Sequence, residues 1–137
     1  MASPDSDSWN NLPDKNNLAR EFNDCEFARL LGLEVVEIRP GGARIRMASL
    51  GKCNSNGVLH GGAIFSLADH AFGLAANTDG FREVAVSAHI HYMTPGTGPL
   101  EAVAERIFRN GQTSVYRVLI TEGSRTIALF EGVGIRV

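Results

Sequence analysis

The chain has little of what a secreted, membrane-bound or nucleic-acid-binding protein is built from. Its 137 residues include only two cysteines, Cys25 and Cys53. One disulfide at most could form, which excludes a small scaffold held by several bridges. No charged-then-apolar leader opens the sequence, and no apolar run reaches the roughly 18 residues that a membrane span needs. Thirteen Lys and Arg against fifteen Asp and Glu leave a formal charge of −2, with no basic excess to grip a phosphate backbone or an anionic lipid surface. No nucleic acid and no membrane partner is expected. The default is a cytoplasmic protein with free thiols, both cysteines serving as packing residues. Internal repeats and low-complexity tracts are also lacking.

What is present is the composition of an ordinary folded domain, 44% hydrophobic and 20% charged. The length suits one domain that buries roughly two-thirds of its unfolded surface. Residues 1–13 are polar, with Ser, Asp, Asn and two prolines, and read as a flexible lead-in to a single domain over residues 14–137. Leu18, Phe22, Cys25, Ala28 and Leu31 recur at three- and four-residue steps and Gly32 follows, which predicts one short amphipathic helix over 14–31. Residues 33–39 and 43–49 alternate around Pro40-Gly41-Gly42 and predict a hairpin. Residues 61–76 are rich in Ala and Leu, poor in β-branched residues and too long for a strand, so they predict a helix. Because that helix is apolar nearly all round, other structure must enclose it. Four strands are predicted at 84–93, 100–108, 113–122 and 126–137. The fold class is therefore α+β, a curved antiparallel sheet wrapped around one long helix after a short N-terminal one.

Asp69 is anomalous in this pattern, because the run 60–77 around it is otherwise almost uniformly apolar. An ionised carboxyl buried without partners costs several kcal/mol or takes up a proton. It is kept there when it is salt-bridged or when chemistry uses it, and both readings stay open. The start of the same helix is also unusual. Asn54 and Gly57 precede it, His60 opens it, and Gly61 and Gly62 occupy its first turn. First-turn N–H groups lack intrahelical partners and carry the positive end of the helix dipole, and glycine lets a ligand oxygen approach them. Without the lysine and Ser/Thr of a phosphate loop, the better match is the charge developing on a carbonyl oxygen. Asp69 lies eight residues beyond Gly61, about 12 Å up the helix. An activating or attacking carboxylate must come within about 3.5 Å of the reacting atom. The two features can therefore cooperate only if a second copy lends one of them, as in a two-fold dimer with antiparallel helices.

The spacing Asn54, Gly57, His60-Gly61-Gly62, Phe65, Leu67-Ala68-Asp69, Ala71-Phe72, Ala75 and Asn77 resembles the N-x-x-G-x-x-H-G-G-x-x-F-x-L-A-D-x-A-F-x-x-A-x-N signature of the hotdog-fold acyl-CoA thioesterases of the phenylacetate-pathway (PaaI-like) type. Asn23-Asp24-Cys25, Leu31-Gly32-Leu33, the stretch 90–95 and the stretch 128–132 extend the resemblance over 18–137. It implies a hotdog fold assembled as homodimers that commonly pair into homotetramers. It also implies hydrolysis of an acyl- or aryl-acyl-CoA, phenylacetyl type favoured, with no metal or redox cofactor and coenzyme A as part of the substrate. In that scheme Asp69 activates water or attacks the thioester from the opposite subunit, the Gly61 N–H polarises the carbonyl, and Asn54 and His60 orient substrate or water. Gly62, Ser87, Tyr92, Arg109, Gly111, Gln112 and Thr113 are candidate substrate contacts, Arg109 through a coenzyme phosphate.

Blander roles compete at several positions. Asn54 could simply bond its own loop, His60 could cap the helix, the turn 109–113 could be a polar hairpin, and Phe65, Phe72 and Leu74 read as core. Some relatives carry a Ser or Thr where this chain has Ala85. Ser87 is expected on the same strand face as its substitute, together with His89 and His91. Two histidines at that spacing, with no acidic or thiolate ligand near in sequence, read as a solvent or interface face rather than a metal site. The competing functional classes are a non-catalytic acyl-CoA-binding protein and a hotdog enoyl-CoA hydratase or dehydratase.

Overall fold

A computed structural model describes residues 15–137, so the lead-in predicted for 1–13 lies outside the described residues. In chain order the elements are α1 (Lys15–Asp24), α2 (Glu26–Leu31), β1 (Leu33–Arg39), β2 (Gly42–Met47), α3 (Gly61–Ala76), β3 (Glu83–Tyr92), β4 (Leu100–Asn110), β5 (Thr113–Glu122) and β6 (Arg125–Arg136). The predicted N-terminal helix is two helices. Cys25 takes an extended conformation between them (φ −66°, ψ 147°) and caps α2, while the Asn23 side chain accepts the Val35 N–H at 2.8 Å and ties the end of α1 to β1. Both cysteines are free and exposed, so neither is a packing residue. Gly32 stops α2 in the left-handed region (φ 67°), its N–H returning to the Ala28 and Arg29 carbonyls.

All six strands form one antiparallel sheet in the order β1-β2-β4-β5-β6-β3. Bulges near Val36, Val86, Ile107 and Ile127 bend it, and α3 lies in the resulting concavity. Ile45, Val118, Ile120 and Phe130 from the sheet are buried with Leu67, Phe72 and Leu74 from the helix. Each such side chain contributes about 1.5–3 kcal/mol by leaving water. Gly132 is a close-approach position: a Cβ there would stand 2.8 Å from the Phe72 ring. Phe72 and Leu74 are core as expected, and the half-buried Phe65 packs edge-on against Phe130 with centroids 5.5 Å apart.

One expectation needs correction. The single sheet covers one side of α3, and the stripe Gly62, Ser66, Asp69 and Gly73 stays exposed or half-buried. Asp69 is thus exposed in the single chain, because enclosing the helix takes more surface than one sheet supplies. The stripe is not the only uncovered region. β3 is an edge strand, and Val84, Val86 and Tyr92 on it are exposed.

Candidate active site

The loop before α3 is built around Asn54. Its side-chain oxygen accepts the N–H groups of Asn56 (2.9 Å) and Val58 (3.3 Å), and its N–H donates to the Val58 carbonyl at 2.7 Å. This is the loop-bonding role. It delivers His60, whose own N–H donates to the Lys52 carbonyl at 2.8 Å.

His60 is the N-cap of α3: its Nδ1 accepts the Gly62 N–H at 2.8 Å. Two consequences follow. The neutral ring carries its proton on Nε2, and the Gly62 donor is already occupied, so Gly62 does not offer it to a substrate. The Gly61 N–H, by contrast, meets no acceptor among the described residues. Tyr92 fixes this end of the helix from β3, its hydroxyl donating to the Gly61 carbonyl at 3.0 Å. Its ring also covers Gly61, where a Cβ would lie 3.3 Å from Tyr92 Cζ. Glycine here is a packing requirement as well as an opening for a ligand. A cleft of 230 Å³ opens at this point, lined by Val58, Leu59, Gly61, Ile64, Tyr92 and Pro95 among others. It is a mostly apolar groove with one free backbone donor.

Asp69 stands on the uncovered stripe, eight residues from Gly61 and about 12 Å along the axis. It makes no ion pair or hydrogen bond among the described residues of the single chain. Although exposed, it has enough protein around it to lose hydration, which raises its carboxyl above the ordinary 3.8; the neighbouring His70 opposes the shift. Burial first lowers the pKa of His70 itself, while its hydrogen bond to the Phe22 backbone and the Asp69 charge work the other way.

The structure does not bring the remaining candidates to this end. Arg109 is held at the opposite end of α3, its Nη1 2.8 Å from Asp79 Oδ2, and the same oxygen accepts from Arg106 at 2.7 Å. Its charge is therefore already paired. Gly111 makes the β4–β5 turn with φ 62°, Gln112 accepts the Arg136 N–H at 2.9 Å, and Thr113 opens β5. Ser87 is on the wrong face for the substitution expected of it. Ala85 pairs with Gly134 and Ser87 with Val133. Adjacent β6 residues face opposite ways, so the bulge at Val86 turns Ser87 away from the helix side that Ala85 faces. His89 and His91 do share Ser87's outer face, with Nε2 atoms 3.0 Å apart. Among the described residues, no three His, Cys, Asp or Glu side chains converge into a metal-binding group.

Sequence reading missed the buried polar cluster around Asp79, Glu83, Arg106, Arg136 and Tyr116. The available signals were a charged residue beside a turn glycine, Asp79-Gly80, and a glutamate opening an apolar strand.

The sequence and the fold are both similar to those of known proteins. The family model of the thioesterase superfamily matches residues 56–128. The acyl-coenzyme A thioesterase PaaI of Escherichia coli is 33% identical over 120 residues, covering 85% of this chain and 86% of that protein. The solved structure of the E. coli PaaI protein superposes with a TM-score of 0.83 at 30% identity, over 98% of this chain and 96% of its own. A Thermus thermophilus phenylacetic acid degradation protein PaaI, solved as a mutant, superposes with a TM-score of 0.78 at 35% identity, over 82% and 100%. The chain therefore belongs to the thioesterase superfamily as a PaaI-like, hotdog-fold thioester hydrolase.

Proposed function

We propose that the chain hydrolyses an acyl-CoA thioester to the free acid and coenzyme A, in a two-fold dimer where each reaction centre takes Gly61 from one subunit and Asp69 from the other. The observation that carries this reading is a pair of incomplete halves: an unsatisfied N–H at the N-terminus of α3, and an unpaired carboxylate about 12 Å along the helix on its uncovered stripe. Laying a second α3 antiparallel on the stripe of Gly62, Ser66, Asp69 and Gly73 brings the halves together twice. Pairing the two exposed β3 edges would extend the sheet across both copies and satisfy their free backbone groups. Leu119 and Leu129, directly opposed and exposed on the outer face, suit further pairing of dimers into tetramers.

The thioester carbonyl oxygen accepts the Gly61 N–H in the cleft beside Tyr92, which lowers the energy of the oxyanion formed on attack. The partner subunit's Asp69 takes a proton from water as that water adds to the carbonyl carbon, or adds to the carbon itself and forms an anhydride that water opens. In either case the C–S bond breaks, the sulfur leaves as coenzyme A and takes up a proton, and the acid is released. His60 has its Nε2 proton free to steer substrate or water; Asn54 acts by holding the loop that places His60. No metal or redox cofactor enters the scheme. The phenylacetic acid degradation for which the E. coli and T. thermophilus PaaI structures are named favours phenylacetyl-type substrates. Free thiols and a coenzyme A substrate suit the cytoplasm, and no helix of the described residues is long and apolar enough to cross a membrane.

A thiol-release assay across short, long and aryl-acyl thioesters tests the proposal. Steady release of coenzyme A is expected. Binding without release would make the chain an acyl-CoA-binding protein, and water addition to an enoyl-CoA without release would place it among the hydratases.

A further inference from the structure

We infer that His89 and His91 chelate a divalent transition-metal ion of the Cu²⁺ or Ni²⁺ class on the outer face of β3, with Glu131 supporting the pair from β6. The site is separate from the reaction centre, because α3 lies against the concave side of the sheet and the two histidines point from the other. No step of the thioester reaction runs through it.

The strand puts both ligands on one face. Residues two apart on a strand point the same way, and each histidine is paired with an exposed β6 residue, His89 with Glu131 and His91 with Leu129. The side chains then converge. The two Nε2 atoms are 3.0 Å apart, with ring centroids 4.5 Å apart and planes at 68°. A hydrogen bond between two exposed rings is a weak reason for that approach, since water competes for both nitrogens. A bare solvent face, the reading from sequence, does not call for it at all.

An ion accounts for the spacing and selects its own kind. Metal–nitrogen bonds of about 2.05 Å across that separation close an N–metal–N angle of about 94°. This is the right-angle bite of square-planar and octahedral ions, and it falls short of the roughly 109° of a tetrahedral zinc site. Coordination through both Nε2 atoms leaves the ring protons on Nδ1.

Glu131 supplies the nearby negative charge. Directly opposed side chains have Cβ atoms about 4.5–5.5 Å apart, so its carboxylate reaches the His89 ring or a water on the ion. It makes no ion pair among the described residues, although Arg117 is its opposite neighbour on β5. It is not a third direct ligand, as no three such side chains converge among the described residues. Its part is that of the outer carboxylate that orients a ligating imidazole and its water. The two imidazoles fill two positions of the ion, and water fills the rest.

The test titrates the full, untagged chain, first stripped with EDTA, with Cu²⁺, Ni²⁺ and Zn²⁺ in turn by calorimetry at one pH. His89→Ala, His91→Ala, the double variant and Glu131→Gln are run beside it, with folding and dimer mass checked in each. One ion per chain is expected, bound in the order Cu²⁺, Ni²⁺, Zn²⁺. Either single alanine leaves a lone ligand and should weaken Ni²⁺ binding by about tenfold or more, and Glu131→Gln should weaken it by about tenfold. The electron paramagnetic resonance spectrum of the Cu²⁺ form should show coupling to two nitrogens, reduced to one in either alanine variant. Wild-type affinity no greater than that of the folded double variant overturns the inference. Zn²⁺ bound more tightly than Ni²⁺ overturns the assigned class of ion, since the pair must then open to a tetrahedral bite. Half an ion per chain with a gain in assembly mass overturns the single-chain site, because two copies then share the ion.

Discussion

The two ends of α3 treat the same helix dipole in opposite ways. At the N-terminal end the positive pole is left open, with the Gly61 N–H free in an apolar cleft and His60 exposed. At the C-terminal end the negative pole is crowded with cations. Arg106, Arg109 and Arg136 surround Asp79, which is 3% exposed, at 2.7, 2.8 and 3.8 Å from its Oδ2, and the Arg136 guanidinium stacks 3.8 Å over Phe81. Cations at that pole complement the dipole. Thr78 closes the end, donating to the Ala75 carbonyl and accepting the Gly41 N–H from the β1–β2 turn. Next to it Tyr116 donates to the buried Glu83 at 2.7 Å, and desolvation first, with the Glu83 bond second, pushes the hydroxyl's pKa up so that it remains a donor. One end spends its charges on holding the sheet to the helix; the other keeps its polarity unspent for a ligand. Arg109 joins the first kind through its Nη1, while its Nε and Nη2 have no hydrogen-bond partner among the described residues.

If that division holds, substitutions at the two ends must fail in different measurements. The largest effect is expected from Asp69→Asn on the open face: turnover lower by about 10² to 10⁴, with the fold and the dimer mass retained. Mixing this variant with one disabled at Gly61 should restore part of the activity, since each mixed dimer contains one intact centre. No recovery on mixing would mean that each centre lies within one subunit. Asp79→Asn comes next and acts on stability, because three largely buried arginines lose their counter-charge. Removing one partner of such a set costs about 3–5 kcal/mol, read as a fall in denaturation midpoint, while the turnover of the folded fraction stays as it was. A loss of turnover at full stability would place Asp79 in the reaction. Gly61→Ala is smaller: the new methyl, 3.3 Å from Tyr92 Cζ, must displace the ring and shift the free donor, a misplacement worth about 10² in rate.

Sequence made the open end legible and the closed end almost invisible, and the reason is range. His60-Gly61-Gly62 and Asp69 lie within ten residues of one another, so helix geometry alone relates them, and α3 spans the predicted residues 61–76. The six strands fall within two residues of their predicted limits because turn glycines mark them. Asp79 meets Arg106, Arg109 and Arg136 only through the order of β4, β5 and β6 across the sheet, and no local pattern carries that information. Ser87 failed for a related reason: alternation assumes an unbroken strand, and a single extra residue at Val86 reverses it. The break at Cys25 depends on Asn23 reaching Val35 on another element. The exposure of Asp69 was misjudged because hydrophobic patterning shows that a surface is covered without showing which copy covers it.

The pH dependence of Asp69 gives the smallest effect and the finest test of the open end. Its carboxyl is raised above 3.8 because the protein withdraws solvent from it, with His70 partly offsetting this. As a base or nucleophile it works only when ionised, so kcat/KM should rise with pH along a limb centred above 3.8. Stability should move the other way. A carboxyl whose folded pKa is raised holds its proton more tightly in the folded state, so its contribution is full below the unfolded pKa and is lost as pH rises through the folded one. The unfolding temperature of the wild type relative to Asp69→Asn should therefore fall across the window in which activity appears. His70 shifts in the opposite sense: burial lowers it from 6.5, so its contribution is lost as pH falls. Comparing the wild type with the Asn variant largely cancels it, since both chains contain it. A second copy laid on the stripe would remove more water from Asp69 and move its limb further up. In a variant made monomeric by charges on the β3 edge, the stability difference from its own Asp69→Asn counterpart should fall across a lower pH window than in the dimer, and an unmoved window would mean that the partner does not cover the carboxylate.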